Sequence, residues 1–337
     1  MIRESFGLPA GTRLQEFEVL SVLGGGAVSL VYKAYDRDLH RHAALKEYLP
    51  TALARRGGQR QLEIAAGKQD LFEQGLRRFI AEAHIMTRFD HPVLRKAWRL
   101  FRENGTAYFA MPYYEGITLR KKVHDDYRAK SLGELLTIIL PVLEGLSLLH
   151  RAGYCHFGIS PDDILIQSGD APVLLDFGAA RRPGENQEDR AVTELSPGFA
   201  APEQYESDSA RLGAWSDIYS LAAVIYYIVS GIVPDVAISR LSHDSLRPLA
   251  SFATPELPAS LLTVIDRGLT VAPQARLQSI AEFVRSLDAA LSGLAYPGAD
   301  VIMRADATVS AFSPAIKKIL RSAWALRDQS DAGQSES

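Results

Sequence analysis

The sequence predicts an α+β chain in two successive parts, a strand-rich N-terminal part and a longer helical one. Apolar and polar positions alternate along residues 16–46 around a glycine cluster, the period of half-buried strands. From Leu132 the apolar residues recur at helical spacing instead. Leu135, Ile138, Ile139, Val142, Leu143, Leu146 and Leu149 form one stripe. Strands first and helices afterwards is the order of a chain whose two kinds of element are segregated.

The first strand covers Phe17-Glu18-Val19-Leu20, the second runs from Ser29 to Ala34, and Ala43-Ala44-Leu45-Lys46 is the third. Residues 51–72 are polar and contain Gly, Arg and Gln, which predicts a surface excursion. A helix follows from about Gln74 to Arg88, with Leu76, Phe79, Ile80, Ala83, Ile85 and Met86 at helical spacing. Strand-like runs near Ala97–Phe101 and Ala107–Met111 flank a turn at Glu103-Asn104-Gly105. Short strands near Ile164–Ile166 and Val173–Leu175 flank Ser168-Gly169-Asp170, and helices dominate from there to about residue 293. Tyr296-Pro297-Gly298 breaks the pattern. Beyond it Ile316, Ile319, Leu320, Ala323 and Trp324 predict a short amphipathic helix at 314–327, with Lys317, Lys318, Arg321 and Arg327 on its polar side. The expected divisions are a lead-in at 1–15, a strand-rich lobe at 16–111, a helical lobe at 112–295 and an extension at 296–337 ending in a disordered tail.

Composition narrows the classes. Of 337 residues, 47% are hydrophobic and 23% charged, which is globular, and the net charge of -3 gives no general attraction to nucleic acid or anionic membrane. Cys155 is the only cysteine, so no internal disulfide is possible, as suits a reducing cytosol. The N-terminus has no apolar signal region, and the most apolar runs, Leu135–Leu140 and Leu221–Val229, fall short of the ~18 residues a membrane span requires. A cytoplasmic location is expected.

Several motifs stand in a fixed order. Leu23-Gly24-Gly25-Gly26-Ala27-Val28-Ser29-Leu30-Val31 is a glycine-rich turn between strands; by itself it is as consistent with a plain hairpin. Lys46 lies 22 residues after Gly24, and Glu82 lies on the next predicted helix. His156-Phe157-Gly158-Ile159-Ser160-Pro161-Asp162-Asp163 precedes Asp176-Phe177-Gly178, which is followed 25 residues later by Ala201-Pro202-Glu203. In register from about Thr12 to Ala290 these motifs resemble the bacterial Ser/Thr protein-kinase family. Lys46-Glu47-Tyr48-Leu49-Pro50 and Ala201-Pro202-Glu203-Gln204-Tyr205 are similar to its sub-group carrying K-E-Y-[FL]-P and P-P-E-Q-Y.

The resemblance implies a bilobal kinase-like fold with a nucleotide cleft. Its implied lining is Leu23, Gly24, Gly26, Ser29, Val31, Ala44, the gatekeeper-like Met111, the hinge Pro112-Tyr113-Tyr114 and Leu165 on the floor. Lys46, paired with Glu82, is expected on the phosphates. Asp176 and Asp163 are expected on the metal, so the implied cofactor is ATP with Mg²⁺ or Mn²⁺. Arg276 is the expected partner of Glu203, and His156 is expected to brace the fold through Asp217 and Phe177.

Against the family's His-Arg-Asp-x-Lys-Pro-x-Asn, however, Gly158 stands at the base, Ser160 at the Lys, Phe157 at the Arg and Asp163 at the Asn. Ser29 also replaces the third loop glycine. Glycine has no group to take a proton, and losing a general base costs ~10²–10⁴ in rate. Ser160 removes charge from the transferring phosphoryl group. Phe157 cannot pair with a phosphate on Thr193 or Ser196 of the activation segment. Asp162 and Asp163 are the candidates for a displaced base, Asp162 expected to face solvent and Asp163 the metal.

The expected function is therefore a pseudokinase that binds ATP and metal and acts as a conformational regulator or scaffold. A weakly active or unorthodox kinase and a nucleotide-free scaffold are the alternatives. The expected partner is a protein, an active kinase or a signalling or secretion component, with no nucleic acid and no membrane contact. The helix at 314–327 either meets that partner or packs on the helical lobe, with contact of its basic face to an anionic membrane as the lesser alternative.

Overall fold

Alternation at period two makes strands, and a central strand buried on both faces loses its polar alternate positions unless each polar group finds a partner. The strand Arg41–Tyr48 follows this rule, its last six residues all being buried. The computed structural model describes residues 6–125, 127–129, 131–185, 195–206, 211–252 and 256–291. They form two units: residues through Glu115 together with Asp176–Ala180 make the first, and Gly116–Leu175, Arg181–Glu185 and the described residues from Leu195 onward make the second. Thr193 and the expected extension at 296–337, including its helix, lie outside the described residues.

In the first unit, β1 (Arg13–Leu14), β2 (Phe17–Gly25), β3 (Ser29–Asp36) and β4 (Arg41–Tyr48) precede a short hairpin of β5 (Ala54–Arg56) and β6 (Leu62–Ile64). Helix α1 (Gln69–Thr87), β7 (Arg99–Glu103) and β8 (Thr106–Pro112) complete it. The main sheet is antiparallel throughout, in the order β1-β2-β3-β4-β8-β7. One face carries Leu30, Tyr32, Leu45, Tyr108 and Ala110, packed with Leu8, Leu14 and Phe17. The expected lead-in is thus partly core: Leu8 and Leu14 are buried, and the Leu8 N–H donates to the Tyr32 hydroxyl at 3.1 Å. On the other face α1 packs through Phe72 and Phe79 on Tyr48 and Phe109.

Residues 51–72 are more than the expected surface excursion. Glu47 is fully buried on the sheet face opposite Lys46, where a lone carboxylate is costly. The hairpin meets this need: Arg56 Nη2 lies 2.8 and 2.7 Å from the two Glu47 oxygens, and the Tyr32 and Tyr108 hydroxyls donate to the same carboxylate at 2.5 and 2.6 Å. Helix α1 starts at Gln69, five residues before the expected start, and buries Phe72 of its first turn against Tyr48. Removing one member of a buried pair strands the other charge. Arg56→Ala is therefore expected to lower stability by about 3 kcal/mol in chemical unfolding, with Glu47→Gln in the same background recovering part of the loss.

The second unit begins with β9 (Gly116–Thr118) and α2 (Leu119–His124), then α3 (Leu132–Arg151), β10 (Ile164–Gln167) and β11 (Pro172–Leu174). It ends with α4 (Ala214–Ser230), α5 (Ala237–Arg240), α6 (Ala259–Gly268) and α7 (Ile280–Leu291). The small sheet has the order β11-β10-β9. Ser131 caps α3 by accepting from the Glu134 N–H at 3.3 Å. The α3 helix has 20 residues, and an 18-residue stretch of it has a mean hydropathy of 1.8, so by length and composition alone it is long and apolar enough to cross a membrane, contrary to expectation. Its stripe from Leu135 to Leu149 is nevertheless buried within the unit, as is α4 from Ser216 to Val229. At the base of α4, Arg276 and Glu203 form the expected pair, both fully buried, with nitrogen-to-oxygen distances of 2.7 and 2.8 Å.

Candidate functional site

The register of the main sheet brings the expected lining residues of the first unit together. Gly24 lies opposite Val31, Val31 opposite Lys46, and Ala44 opposite Met111. The glycine-rich turn closes through the Gly26 N–H on the Ser29 carbonyl at 3.0 Å. Its demand for glycine is sharpest at Gly25, where a Cβ would sit 2.5 Å from the Ser29 oxygen. Gly24 has open space instead, and Leu23 is 46% exposed. Tyr113 lies beneath the Lys33 ammonium, 4.4 Å above its ring, with His42 against its edge.

Strand β4 delivers Lys46 to the α1 face, where α1 presents Glu82. The Lys46 Nζ is 2.7 Å from Glu82 Oε1 and 2.9 Å from Asp176 Oδ1, with Lys46 and Glu82 both buried. The Gly178 N–H also donates to Asp176 Oδ1, at 2.8 Å. Burial favours a neutral Lys46, but the Asp176 and Glu82 carboxylates outweigh it and hold the ammonium above its ordinary range. Burial likewise opposes the Asp176 charge, yet Lys46 and the Gly178 N–H keep that carboxyl well below the carboxylate range. Glu82 is pushed up to about 7, by burial first and then by the like charge of Asp176 against the pull of Lys46. This cluster is a cation and an ionised acid held in place by a third group, which suits phosphates and a hard divalent ion.

Helix α1 is fixed from the same strand. The Tyr48 hydroxyl donates to the Phe72 carbonyl at 3.1 Å, and Gly75 leaves room for it, since a Cβ there would lie 2.1 Å from that oxygen.

The second unit holds the loop from His156 to Asp163. Asp217, fully buried on α4, accepts from the backbone N–H groups of His156 and Phe157 at 2.7 Å each, and His150 Nε2 lies 2.7 Å from it. The hydrogen bonds of the brace run through the backbone N–H groups of the loop, and the His156 ring acts on Asp217 through its charge. Burial opposes the Asp217 charge, but the hydrogen bond and charge of His150, with those of His156, hold its carboxyl below the ordinary range. Phe157 takes φ +55°, a left-handed conformation that a bulky residue rarely adopts. Its ring is buried, Arg181 lies 4.8 Å over it, and Gln204 Nε2 donates to its carbonyl at 2.7 Å.

Ser160 is buried and its hydroxyl donates to Asp163 Oδ2. Asp162, expected to face solvent, is half exposed but tied to Arg120 Nε at 2.6 Å, which holds it away from a base's work. Gly158 offers only its backbone N–H, which lies 3.3 Å from His156 Nδ1. Leu165 lies on β10 opposite Thr118 and Val173. Sequence reasoning missed Arg120, Arg56 and the buried Arg95, whose Nη2 donates to the Pro112 carbonyl at 3.4 Å. Arg95 follows Val93-Leu94 and precedes Lys96, so nothing in the sequence singles it out as buried.

A six-stranded antiparallel sheet with one helix bearing the Lys46 partner, a helical unit anchored on Asp217 and Glu203, and this loop define the class, and the chain belongs to the protein kinase domain family. The family's description, "Protein kinase domain", matches residues 17–284. The chain is similar to the solved structure described as "PpkA-294 apo form", with 37% identity and a TM-score of 0.75 over 84% of this chain and 99% of that one. It is 26% identical to Serine/threonine-protein kinase PknD of Chlamydia pneumoniae, covering 83% of this chain and 31% of that protein. It is 28% identical to Serine/threonine-protein kinase PknB of Mycobacterium tuberculosis, covering 79% and 41%. The chain therefore spans only about a third to two-fifths of the length of these curated relatives.

Proposed function

We propose that this domain is a pseudokinase: it grips a nucleoside triphosphate and a Mg²⁺ or Mn²⁺ ion by the phosphates, and acts as a conformational regulator or scaffold toward a protein partner. What carries the reading is a contrast between two sets of residues. Lys46, Glu82 and Asp176 stand in a paired, charged cluster, whereas the base position is Gly158 and the Lys position is Ser160, which bonds to Asp163. Asp176 and Asp163 are the residues that would hold the metal, a hard ion that accepts either carboxylate and neutralises phosphate charge. Without Asp at 158 and Lys at 160 the chain lacks a group to take the hydroxyl proton and a charge to meet the transferring phosphoryl.

Titration with nucleoside triphosphates and Mg²⁺, ATP and GTP in separate arms, is expected to raise the melting temperature, since a ligand at about 100 times its Kd adds ~2.7 kcal/mol. Asp176→Ala is expected to abolish the metal-dependent part of that shift. No shift with either nucleotide at millimolar concentration would sink the reading. Radiolabelled phosphate transfer by the wild type, lost in Asp176→Ala, would replace it with that of a weak kinase.

A further inference from the structure

Arg95 follows α1 and is 8% exposed, an unusual place for a guanidinium. Among the described residues its one direct partner is the Pro112 carbonyl at 3.4 Å, a long bond, and its Nε has no acceptor there. No ion pair to it forms within 4 Å among the described residues; Tyr114, Asp176 and Glu82 act on it only at longer range. Burial draws its pKa down to about 10, which still leaves a cation at neutral pH. A buried charge so poorly satisfied is costly. Groups in that condition cluster where a ligand completes them.

Its position says which part of a ligand is concerned. Pro112 ends β8 directly after Met111, opposite Ala43, and begins the hinge expected to border the nucleotide base. Lys46 and Asp176, suited to phosphates, belong to the same unit. A bare main-chain carbonyl at the hinge is an acceptor and invites an amino group. With Arg95 on that carbonyl the site offers N–H donors instead, which an exocyclic amine meets donor to donor and a ring carbonyl meets as an acceptor. Arginine reads the O6 and N7 edge of guanine in this way.

We propose that Arg95 selects the base, so that the site takes 6-oxopurine nucleotides in preference to 6-aminopurine ones. The proposal rests on the nucleotide-binding reading above and adds the class of ligand to it.

The test is calorimetric titration of the full chain and its Arg95→Met variant with GTP, ITP and ATP, each with Mg²⁺. Wild type is expected to bind GTP and ITP ~10-fold or more tighter than ATP, within what one base contact supplies. ITP isolates the 6-oxo group because it lacks the 2-amino group. In Arg95→Met the preference is expected to collapse, chiefly through tighter ATP binding. Wild type binding ATP as tightly as GTP overturns the proposal and leaves the phosphate grip standing, and this arm needs no variant to fold. A preference unchanged in Arg95→Met overturns it too. Wild type binding nothing while Arg95→Met binds ATP makes Arg95 a plug and also overturns selection. Neither protein binding any nucleotide overturns the proposed function itself.

Discussion

Restoring the two missing side chains, Gly158→Asp with Ser160→Lys, is expected to raise phosphoryl transfer by ~10²–10⁴-fold. The local backbone permits it. Gly158 lies outside the left-handed region, so glycine is not needed there for conformation, and an Asp Cβ costs no φ strain. Ser160 is buried and bonded to Asp163; a lysine there replaces a hydroxyl donor with an ammonium, which the Asp163 carboxylate can still meet. The pairing of Lys46 with Glu82 and Asp176 needs no repair. The readout is radiolabelled transfer to a Ser/Thr peptide, with Asp176→Ala in the restored background as the control that must abolish it. If the double variant binds nucleotide yet transfers no better than wild type, the defect lies elsewhere, and Phe157 would be the next suspect.

The largest loss of stability is expected from Asp217→Ala, about 4 kcal/mol in chemical unfolding. The carboxylate is fully buried and satisfies two backbone N–H groups and His150 at once. Removing it strands those donors and frees Phe157, whose left-handed φ persists only because its surroundings hold it. The sign of the pH dependence follows from the depressed carboxyl. An acid whose folded pKa lies below its unfolded value of ~3.9 contributes stability that is complete above that value and lost as pH falls through the folded one. Wild type should therefore lose stability below about pH 4 more steeply than Asp217→Asn, which has no charge there to lose. Identical acid limbs for the two proteins would remove Asp217 from the account.

Legibility in the sequence followed whether a residue's type and spacing alone carry its role. β2 to β4 were readable because their alternation is local, and α3 because its stripe runs from Leu135 to Leu149. Lys46, Glu82, Asp176 and the altered loop were readable through motif order, since each residue carries its chemistry in its type. The β5–β6 hairpin was not, because its strands are short and charged and make sense only once the fold buries Glu47 and Arg56 must meet it. Arg95 was hidden because an arginine beside Lys96 reads as surface, and its burial against Pro112 appears only when β7 and β8 fold back on each other. Asp162 is exposed as expected, but its ion pair with Arg120 was not readable, because Arg120 lies 42 residues before it.

Strand β4 sets a limit on how such a chain can diverge. Lys46 and Tyr48 point to the α1 face, and Glu47 between them to the hairpin face. A single inserted or deleted residue just ahead of Lys46 would exchange those faces, setting a cation into the sheet core and a second acid beside Asp176. Loop positions such as Gly158 and Ser160 can drift by substitution one at a time. The length of β4 is frozen, and gain or loss of residues is confined to the turns on either side, at Asp38–His40 and after Pro50.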